Sequence, residues 1–235
     1  MGLELKTTTT DEWRLNMERT IRVTGKGNIT VAPDRIRIQV TVSGVRAEYK
    51  GAVEKSAAQT GEIRSAIKAA GLAPQDLKTE MFSVNTEYKE YKDENDNWHR
   101  KFVGYKFIHR MHIEFANDNE LLGKVLYELS RCPAKVEFRI LHTISDPERA
   151  KDDLLANAVA DAVKKAEVLA QAADVHLGDI VSIDHSWEEI DFYSNQYLTG
   201  EDSLENIRLT KQFKPDIEAD DIQLSDTVTM VWKIE

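Results

Sequence analysis

The sequence predicts an α+β protein in which helices pack on one face of an antiparallel or mixed sheet. Two observations lead to this fold class. Segments that alternate apolar and polar residues, as strands do, occur in neighbouring pairs, and amphipathic helical segments separate these pairs. The predicted order is ββαββαβαβ, followed by an acidic segment and a C-terminal strand. Because the helices do not alternate singly with the strands, a doubly wound parallel sheet is disfavoured.

The first two predicted strands flank a short turn. Residues 35–42 alternate strictly, with isoleucine or valine at every second position, which is typical of a strand with one solvated face. Residues 21–31 are rich in β-forming side chains but contain Gly25 and Gly27. Glycines inside a strand pattern indicate a bulge or a bend. Pro33 and Asp34 are turn-forming residues and predict the connection between the two strands.

Three segments have the three-to-four-residue spacing of amphipathic helices, namely residues 49–70, 118–129 and 146–173. Gly71 follows the first of them as a C-cap. The third begins with Asp146-Pro147, which is the expected N-cap and N1 chemistry, and it would run for about 40 Å. Its apolar stripe is mostly alanine, and such small side chains let a helix axis lie close to a sheet or to another helix.

The remaining strands follow from the same alternation. Residues 81–91 and 102–115 predict a long hairpin, because the intervening residues 92–97 are rich in turn-forming side chains. Three further strands are predicted at residues 135–144, 180–190 and 227–234.

Composition limits the classes of protein to consider. A chain of 235 residues with 41% hydrophobic side chains can bury a core without disulfides or metals. We expect residues 1–18 to be an N-terminal extension and residues 19–235 to form a single domain. The one cysteine, Cys132, excludes intrachain disulfides and multi-cysteine zinc sites. The net charge of −10 argues against a nucleic-acid binder, and no apolar run has the length of about 20 residues that spans a membrane.

The first residues give an expectation about location. A secretory signal needs a basic start and about 7–15 apolar residues, whereas residues 1–18 are charged and rich in threonine. We therefore expect a cytoplasmic protein, in agreement with its single unpaired cysteine. A chain from which a signal peptide had been removed would look the same and would be periplasmic or extracytoplasmic.

Negative charge is concentrated in residues 184–226, which hold twelve acidic and three basic side chains. We call residues 191–225 the acidic arm. The simplest interpretation is a solvated excursion that keeps the protein soluble. The aromatic side chains in and beside it are alternatively a docking surface for a partner or a latch onto the arm's own domain. These aromatic residues are Trp187, Phe192, Tyr193 and Tyr197.

No group of residues predicts catalysis, cofactor binding or a metal site. His109 and His112 are three residues apart in a predicted strand, so they face opposite sides and are poorly placed to share a metal. A composite site of His109 with His142 or His185 is an open alternative. Cys132 follows a helix C-terminus, where the helix dipole does not activate a thiol, and an inert structural role is expected.

Several short motifs occur in an ordered series across residues 20–190. They are Val23-Thr24-Gly25-Lys26-Gly27, Val31-Ala32-Pro33-Asp34, Ala70-Gly71-Leu72, Asp76-Leu77-Lys78-Thr79, Tyr88, Gly104-Tyr105, Ser145-Asp146-Pro147, Ala158-Val159-Ala160-Asp161-Ala162, Lys165-Ala166-Glu167 and Leu177-Gly178-Asp179-Ile180. Their order and spacing resemble the SIMPL-domain family, which includes the periplasmic immunogenic proteins.

The resemblance implies an α+β subunit with no established catalysis. It also implies ring- or channel-like assemblies and a link to stress protection, as reported for periplasmic relatives, or an adaptor that binds a kinase, as in the founding animal member. The motif glycines with Pro33 and Asp34 would shape the backbone, because glycine permits positive φ and proline fixes φ. The chain departs from the family in lacking a signal peptide, in having Asp174 where glycine usually follows the long helix, and in its acidic arm and final strand.

We therefore expect a non-enzymatic, self-associating scaffold or binding protein with a link to stress protection. One alternative is an adaptor whose acidic arm docks a basic partner. Another is a metal- or small-molecule-dependent enzyme built from scattered residues such as His109 and His142. The expected partners are copies of the same chain or another protein, with no nucleic acid, no membrane span and no cofactor.

Overall fold

The computed structural model describes residues 19–185, 192–193, 215 and 217–235. The predicted α+β class and order of elements are confirmed. The chain divides into two compact units. The first unit comprises residues 1–31, 146–191 and 223–235, and the second comprises residues 32–145 and 192–222. The expected N-terminal extension and most of the acidic arm lie outside the described residues.

The described residues form seven strands, three α-helices and one short 3-10 helix. The strands are β1 Thr20–Val31, β2 Arg35–Arg46, β3 Lys78–Lys92, β4 Trp98–Ala116, β5 Glu137–Thr143, β6 Leu177–Asp184 and β7 Ile222–Ile234. The helices are α1 Tyr49–Ala69, α2 Asn119–Ser130 and α3 Pro147–Ala172, and the 3-10 helix is Pro74–Asp76.

The strands are divided between two antiparallel sheets, whereas the sequence indicated one sheet. The first unit contains the order β1-β7-β6, and the second contains the order β3-β4-β2-β5. β1 and β7 come from opposite ends of the chain. Alternation identifies a strand and its buried face but not its hydrogen-bonding partner, so the sequence does not predict this division.

The core of the second unit consists of large aliphatic and aromatic side chains. β2 lies between β4 and β5, and its Ile38 is opposite both Ile113 and Ile140. α1 and α2 cover this apolar face with residues such as Ile63 and Leu122, which are fully buried. Burying each such side chain contributes about 1.5–3 kcal/mol, so this packing holds the sheet and helices together.

In the first unit, α3 packs closely on β1 because both surfaces are made of small residues. A Cβ atom added at Gly25 would lie 2.1 Å from the Ala158 carbonyl oxygen, and one at Gly27 would lie 2.1 Å from the Leu154 carbonyl oxygen. Neither glycine has a positive φ. The expectation that these glycines are needed for left-handed backbone is therefore wrong, and the missing side chain is what the packing requires.

The other family-motif positions have several roles. Gly71 and Gly104 do have positive φ values, of 98° and 143°. Gly178 does not, and a Cβ there would lie 3.3 Å from the Lys233 carbonyl oxygen, so the expectation of positive φ is wrong there too. Asp34, which follows Pro33, accepts hydrogen bonds from the backbone N–H of Ser145 at 2.7 Å and from its hydroxyl at 2.5 Å.

Helix ends follow the capping chemistry of the sequence. Asp146 accepts a hydrogen bond from the backbone N–H of Arg149, which confirms the predicted start of α3. Past the end of α3, Asp174 has a φ of 54°, so it occupies the left-handed position that glycine adopts most readily at a helix end. The N–H of Val175 bonds to the carbonyl of Ala170, as in a Schellman motif.

Two strand boundaries differ from the prediction. β6 begins at Leu177 and ends at Asp184, so it starts earlier than the predicted 180–190, and residues 186–190 of that prediction lie outside the described residues. β7 begins at Ile222, inside the range assigned to the acidic arm. No helix in the described part of the chain combines the length and the hydropathy needed to cross a bilayer.

Candidate functional site

His109 is held by three hydroxyl groups on the side of the second unit's sheet that faces α1. Its Nδ1 lies 3.2 Å from Ser56 Oγ and 3.2 Å from Thr60 Oγ1. Its Nε2 lies 2.9 Å from Thr79 Oγ1. Ser56 and Thr60 are one helical turn apart, so both can face the same ring. One imidazole on β4 thereby joins α1 to the first residues of β3.

The hydrogen-bond pattern fits a neutral imidazole that carries its hydrogen on Nδ1. The Thr60 hydroxyl donates its hydrogen to the Ser56 carbonyl at 2.9 Å, so its oxygen can only accept from His109. Nδ1 therefore carries a hydrogen. In the neutral ring Nε2 has none, and it accepts the hydrogen of the Thr79 hydroxyl. The Thr79 oxygen keeps its lone pairs for other donors.

Burial and a nearby cation favour the neutral ring. Burial, followed by the positive charge of Arg64, lowers the pKa of His109 from its ordinary value. Desolvation disfavours the imidazolium, and a like charge does the same. The His109 ring is therefore uncharged at neutral pH and serves as a hydrogen-bonding partner for α1 and β3.

A cavity of about 420 Å³ adjoins this constellation. α1 contributes Arg64, which lies one turn after Thr60, and β3 contributes Lys78 and Thr79. The apolar part of the wall comes from Pro74 and Leu77. Since His109 bonds to both α1 and β3, it fixes the two walls that carry the cations. The full lining is Arg64, Pro74, Gln75, Leu77, Lys78 and Thr79.

A second polar cluster lies among the outward-facing residues of β2, β3 and β4. Arg37 Nε is 2.6 Å from Glu114 Oε1, and Arg37 Nη1 is 3.9 Å from Glu80 Oε1. His112 Nδ1 is 3.1 Å from the same Glu80 oxygen. Gln39 donates to the other Glu80 oxygen at 2.7 Å. We call Arg37, Gln39, Glu80, His112 and Glu114 the Arg37 cluster.

A β-bulge in β3 places consecutive side chains beside His109 and in the Arg37 cluster. The register passes from Thr79 opposite Met111 to Met81 opposite Arg110, so Glu80 is an extra residue on β3. Thr79 reaches His109, whereas Glu80 reaches the Arg37 cluster.

His112 is also neutral. Arginine can only donate, so the 3.2 Å contact of Arg37 Nη2 with His112 Nε2 makes that nitrogen an acceptor. Burial, followed by the charge of Arg37, lowers the pKa of His112, while Glu80 and Glu114 act in the opposite direction. The cluster is thus an arginine between two carboxylates with an uncharged ring beside it.

The beginning of the acidic arm lies on this cluster. The Tyr193 hydroxyl accepts a hydrogen bond from Arg37 Nη1, and the guanidinium carbon is 5.3 Å from the centre of the Tyr193 ring. Phe192 is 7% exposed. The other two aromatic residues of the candidate docking arm, Trp187 and Tyr197, lie outside the described residues.

The three buried or half-buried histidines of the second unit do not converge on one site. His109 and His112 face opposite sides of the sheet, as predicted from their spacing. His142 is 2% exposed, and its Nε2 has no hydrogen-bond partner in the described part of the chain. In the first unit, His185 Nε2 lies 2.8 Å from Asp226 Oδ2. Among the described residues, no group of three or more His, Cys, Asp or Glu side chains could hold a metal ion.

Cys132 is partly buried, and this burial raises the pKa of its thiol. A raised pKa reduces the thiolate fraction at neutral pH, and the thiolate is the nucleophile. This environment suits a packing residue.

The β3–β4 hairpin continues beyond the four-stranded sheet. The pairing of β2 with β4 ends at Arg46 opposite Tyr105, whereas β3 and β4 stay paired as far as Lys92 opposite Trp98. We call residues 86–104 the ribbon. At its base the register shifts between Glu87 and Tyr88, next to Gly104 with its positive φ.

The ribbon displays aromatic side chains to solvent. Trp98 is 67% exposed, and Tyr88 and Phe102 are each 44% exposed. Ring contacts with centroid distances of 5.5–5.8 Å connect Tyr88 and Phe102 to α1, in the order Tyr88, Phe102, Tyr105, Tyr49. Arg100 lies over Tyr88 and Lys92 over Trp98, with distances of 4.9 and 5.2 Å to the ring centres.

Sequence reasoning did not find the His109 constellation or the exposed ribbon. Ser56 and Thr60 lie at a spacing of four on the buried face of α1, and such buried hydroxyl groups were a usable signal for a polar partner. The ribbon offered no such sequence signal, because the alternation of apolar and polar residues is the same in a strand that faces a core and in one that faces solvent.

Comparison with known proteins gives consistent matches. The family model "SIMPL: Protein of unknown function (DUF541)" matches residues 21–232. The "26 kDa periplasmic immunogenic protein" of Brucella melitensis biotype 1 is 27% identical over 166 residues, which are 69% of this chain and 65% of that relative. The protein of the same description from Brucella abortus (strain S19) matches with the same identity and coverage. The alignment thus spans less than two thirds of each relative's length.

Proposed function

The chain belongs to the SIMPL family, and we propose that it is a non-enzymatic subunit that binds other copies of itself through the ribbon. The exposure of Tyr88, Trp98 and Phe102 on a hairpin that projects beyond its sheet carries this proposal. An isolated two-stranded hairpin is at best marginally stable in water, so a partner that covers its aromatic side chains would stabilise it.

The chemistry of the ribbon is that of an interface. Tyrosine, tryptophan, phenylalanine and arginine are the side chains enriched at interface cores, and all four occur here. Arg100 and Lys92 lie over Tyr88 and Trp98, which restricts these rings before binding. Such restriction lowers the entropy cost of forming a complex.

Charge favours a second copy as the partner. Residues 86–104 contain five acidic and four basic side chains, so the ribbon is nearly neutral. Two identical surfaces with balanced charges can be self-complementary about a two-fold axis. A strongly charged partner would meet no surface of opposite charge on the ribbon.

The environment of the polar groups favours a non-enzymatic role. The carboxylates of Glu80 and Glu114 face Arg37, and the Arg37 guanidinium also bonds to Tyr193. Such mutual pairing leaves the carboxylates engaged in holding β2, β3, β4 and the start of the arm together.

Gel filtration with light scattering tests the proposal. The full chain should elute as a multiple of its 26.7 kDa mass at micromolar concentration. The double variant Trp98→Ser, Phe102→Ser should shift towards the monomer, because it removes two of the exposed rings. The matched control Val168→Ser, Leu169→Ser removes exposed apolar side chains from α3 and should leave the mass unchanged. A wild-type monomer, or equal masses for both double variants, would overturn the proposal.

Location is a separate part of the proposal. Both relatives are described as periplasmic, which favours the periplasm over the cytoplasm expected from residues 1–18. Osmotic-shock fractionation of cells producing the protein should release it with periplasmic markers. Recovery with cytoplasmic markers would overturn this part.

A link to stress protection completes the proposal and comes from the resemblance alone. Cells that lack the protein should survive oxidant exposure less well than cells complemented with the full chain. Equal survival would remove this part and leave self-association untouched.

A further inference from the structure

We infer that the cavity beside His109 binds a small phosphate-type oxyanion between Arg64 and Lys78. Neither the family description nor the names of the relatives assign a ligand to this place. The inference is independent of self-association through the ribbon.

The first argument is uncompensated charge. Arg64 and Lys78 line the same cavity from α1 and β3, and neither has a carboxylate within ion-pair distance among the described residues. Two cations in one cavity repel each other, and an anion between them would remove this repulsion.

The second argument is that the two walls are held in place. His109 bonds through Nδ1 to Ser56 and Thr60 on α1 and through Nε2 to Thr79 on β3. Ser56 and Thr60 are buried, so the α1 side of this connection is shielded from water, whereas Thr79 is exposed and lines the cavity. The ligand would therefore meet a preformed site, and preformed sites lose less conformational entropy on binding.

The third argument concerns the kind of anion. The Thr79 hydroxyl donates its hydrogen to His109 Nε2, so the Thr79 oxygen can accept a further hydrogen bond. Monohydrogen and dihydrogen phosphate carry an O–H group that can donate, whereas sulfate at neutral pH has none. The cavity of about 420 Å³ is larger than the phosphate group itself, and Pro74 and Leu77 give it an apolar wall. Free phosphate fits this chemistry, and a phosphate monoester fits it in its singly protonated form.

Calorimetric titration of the full chain tests the inference. Inorganic phosphate and a phosphate monoester, glycerol phosphate, are each titrated at neutral pH and constant ionic strength, with sulfate as the comparison anion. We expect saturable binding of one phosphate group per chain, tighter than sulfate. Tighter binding of the monoester would identify an ester as the natural class, and the reverse order would identify the free ion. Absence of saturable phosphate binding would overturn the inference.

Charge variants locate the site. Arg64→Gln and Lys78→Gln should each raise the dissociation constant about tenfold, because each removes a charge-assisted contact. Lys50→Gln removes the same charge from α1, where Lys50 is exposed and pairs with Glu54, and it should bind like the wild type. Unchanged affinity in Arg64→Gln, or an equal loss in Lys50→Gln, would contradict a defined site and indicate an adventitious ion only.

A further variant checks the anion preference. Thr79→Val should reduce the preference for phosphate over sulfate while the circular dichroism spectrum keeps its native form. In the wild type, the imidazole resonances of His109 should shift when phosphate is added. Resonances that stay unchanged at saturation would place the anion elsewhere and overturn the inference.

Discussion

The two units of this chain are packed by different means. In the second unit, large side chains such as Ile38, Ile63 and Phe107 fill the space between sheet and helices. In the first unit, α3 presents a row of alanines to β1, and Gly25 and Gly27 on β1 let the backbones approach. The packing of sheet and helices in the second unit depends on filled volume, whereas the contact of α3 with β1 in the first unit depends on absent side chains.

The difference predicts which changes each unit tolerates. A core of large side chains loses stability when atoms are removed, because a cavity remains. A helix that touches a strand through glycine loses stability when atoms are added, because the backbones must separate.

Phe107→Ala should destabilise the second unit by about 4 kcal/mol, because Phe107 is fully buried and its removal leaves a large cavity. Urea unfolding followed by circular dichroism measures the change. The control Val168→Ala shortens a side chain that is 59% exposed and should stay within about 0.5 kcal/mol of wild type. A loss below about 1 kcal/mol for Phe107→Ala would mean that this core is not closely packed.

Gly25→Ala should destabilise the first unit by about 3 kcal/mol, although it adds only one methyl group. The added Cβ would lie 2.1 Å from a carbonyl oxygen and 2.4 Å from a backbone nitrogen of α3. The control is Gly61→Ala on α1, where the added Cβ would meet nothing within 4 Å beyond its own helix. It should stabilise the protein by about 0.5–1 kcal/mol, since alanine favours a helix. Equal effects in the two variants would refute the close-approach explanation.

Mild acid should destabilise the second unit, which contains three histidines with lowered pKa values. Burial lowers the pKa of His142, as it does for His109 and His112. A histidine whose folded-state pKa lies below its unfolded value stabilises the fold above the unfolded pKa of about 6.5, and this stability is lost as the pH falls. Each such histidine contributes at most about 1.4 kcal/mol per pH unit.

Urea unfolding at pH 7.5 and at pH 5.5 measures this effect. His142→Gln should reduce the difference between the two pH values, because it removes one of the three protonation sites. His176→Gln replaces an exposed histidine of the first unit and should leave the difference as in the wild type. A pH difference that is unchanged in His142→Gln would contradict the assignment.

Asp174→Gly should stabilise the end of α3 by about 1 kcal/mol, because Asp174 occupies left-handed backbone that glycine adopts without strain. Gly71→Ala is the matched change at the end of α1, where φ is 98°, and it should destabilise by a similar amount. Thermal unfolding of both variants checks the pair. A loss of stability in Asp174→Gly would show that the aspartate side chain makes a contact that outweighs the strain.

The local order of elements could be predicted because each has a local signal. Alternation marks β2, and Asp146-Pro147 marks the start of α3. The division into two sheets could not be predicted, because β1 pairs with β7 from the other end of the chain. The role of Gly25 was missed for the same reason, since its neighbour Ala158 is far away in sequence.

The candidate site was also beyond local reasoning. The hydrogen bonds of His109 are made to Ser56 and Thr60 on α1 and to Thr79 on β3, so its role depends on two other elements. The hairpin was predicted from its turn-rich loop, but the exposure of Trp98 depends on β2 ending at Arg46. Such facts become visible only when the strand register is known.

The central claim is that the ribbon, residues 86–104, contacts another copy of the chain. Amide hydrogen exchange of the full chain at a low and a high protein concentration tests it most directly. We predict that protection of the ribbon rises with concentration, while protection of β1 stays constant. Exchange in the ribbon that is fast and equal at both concentrations, in samples whose mass shows an oligomer, would contradict the claim.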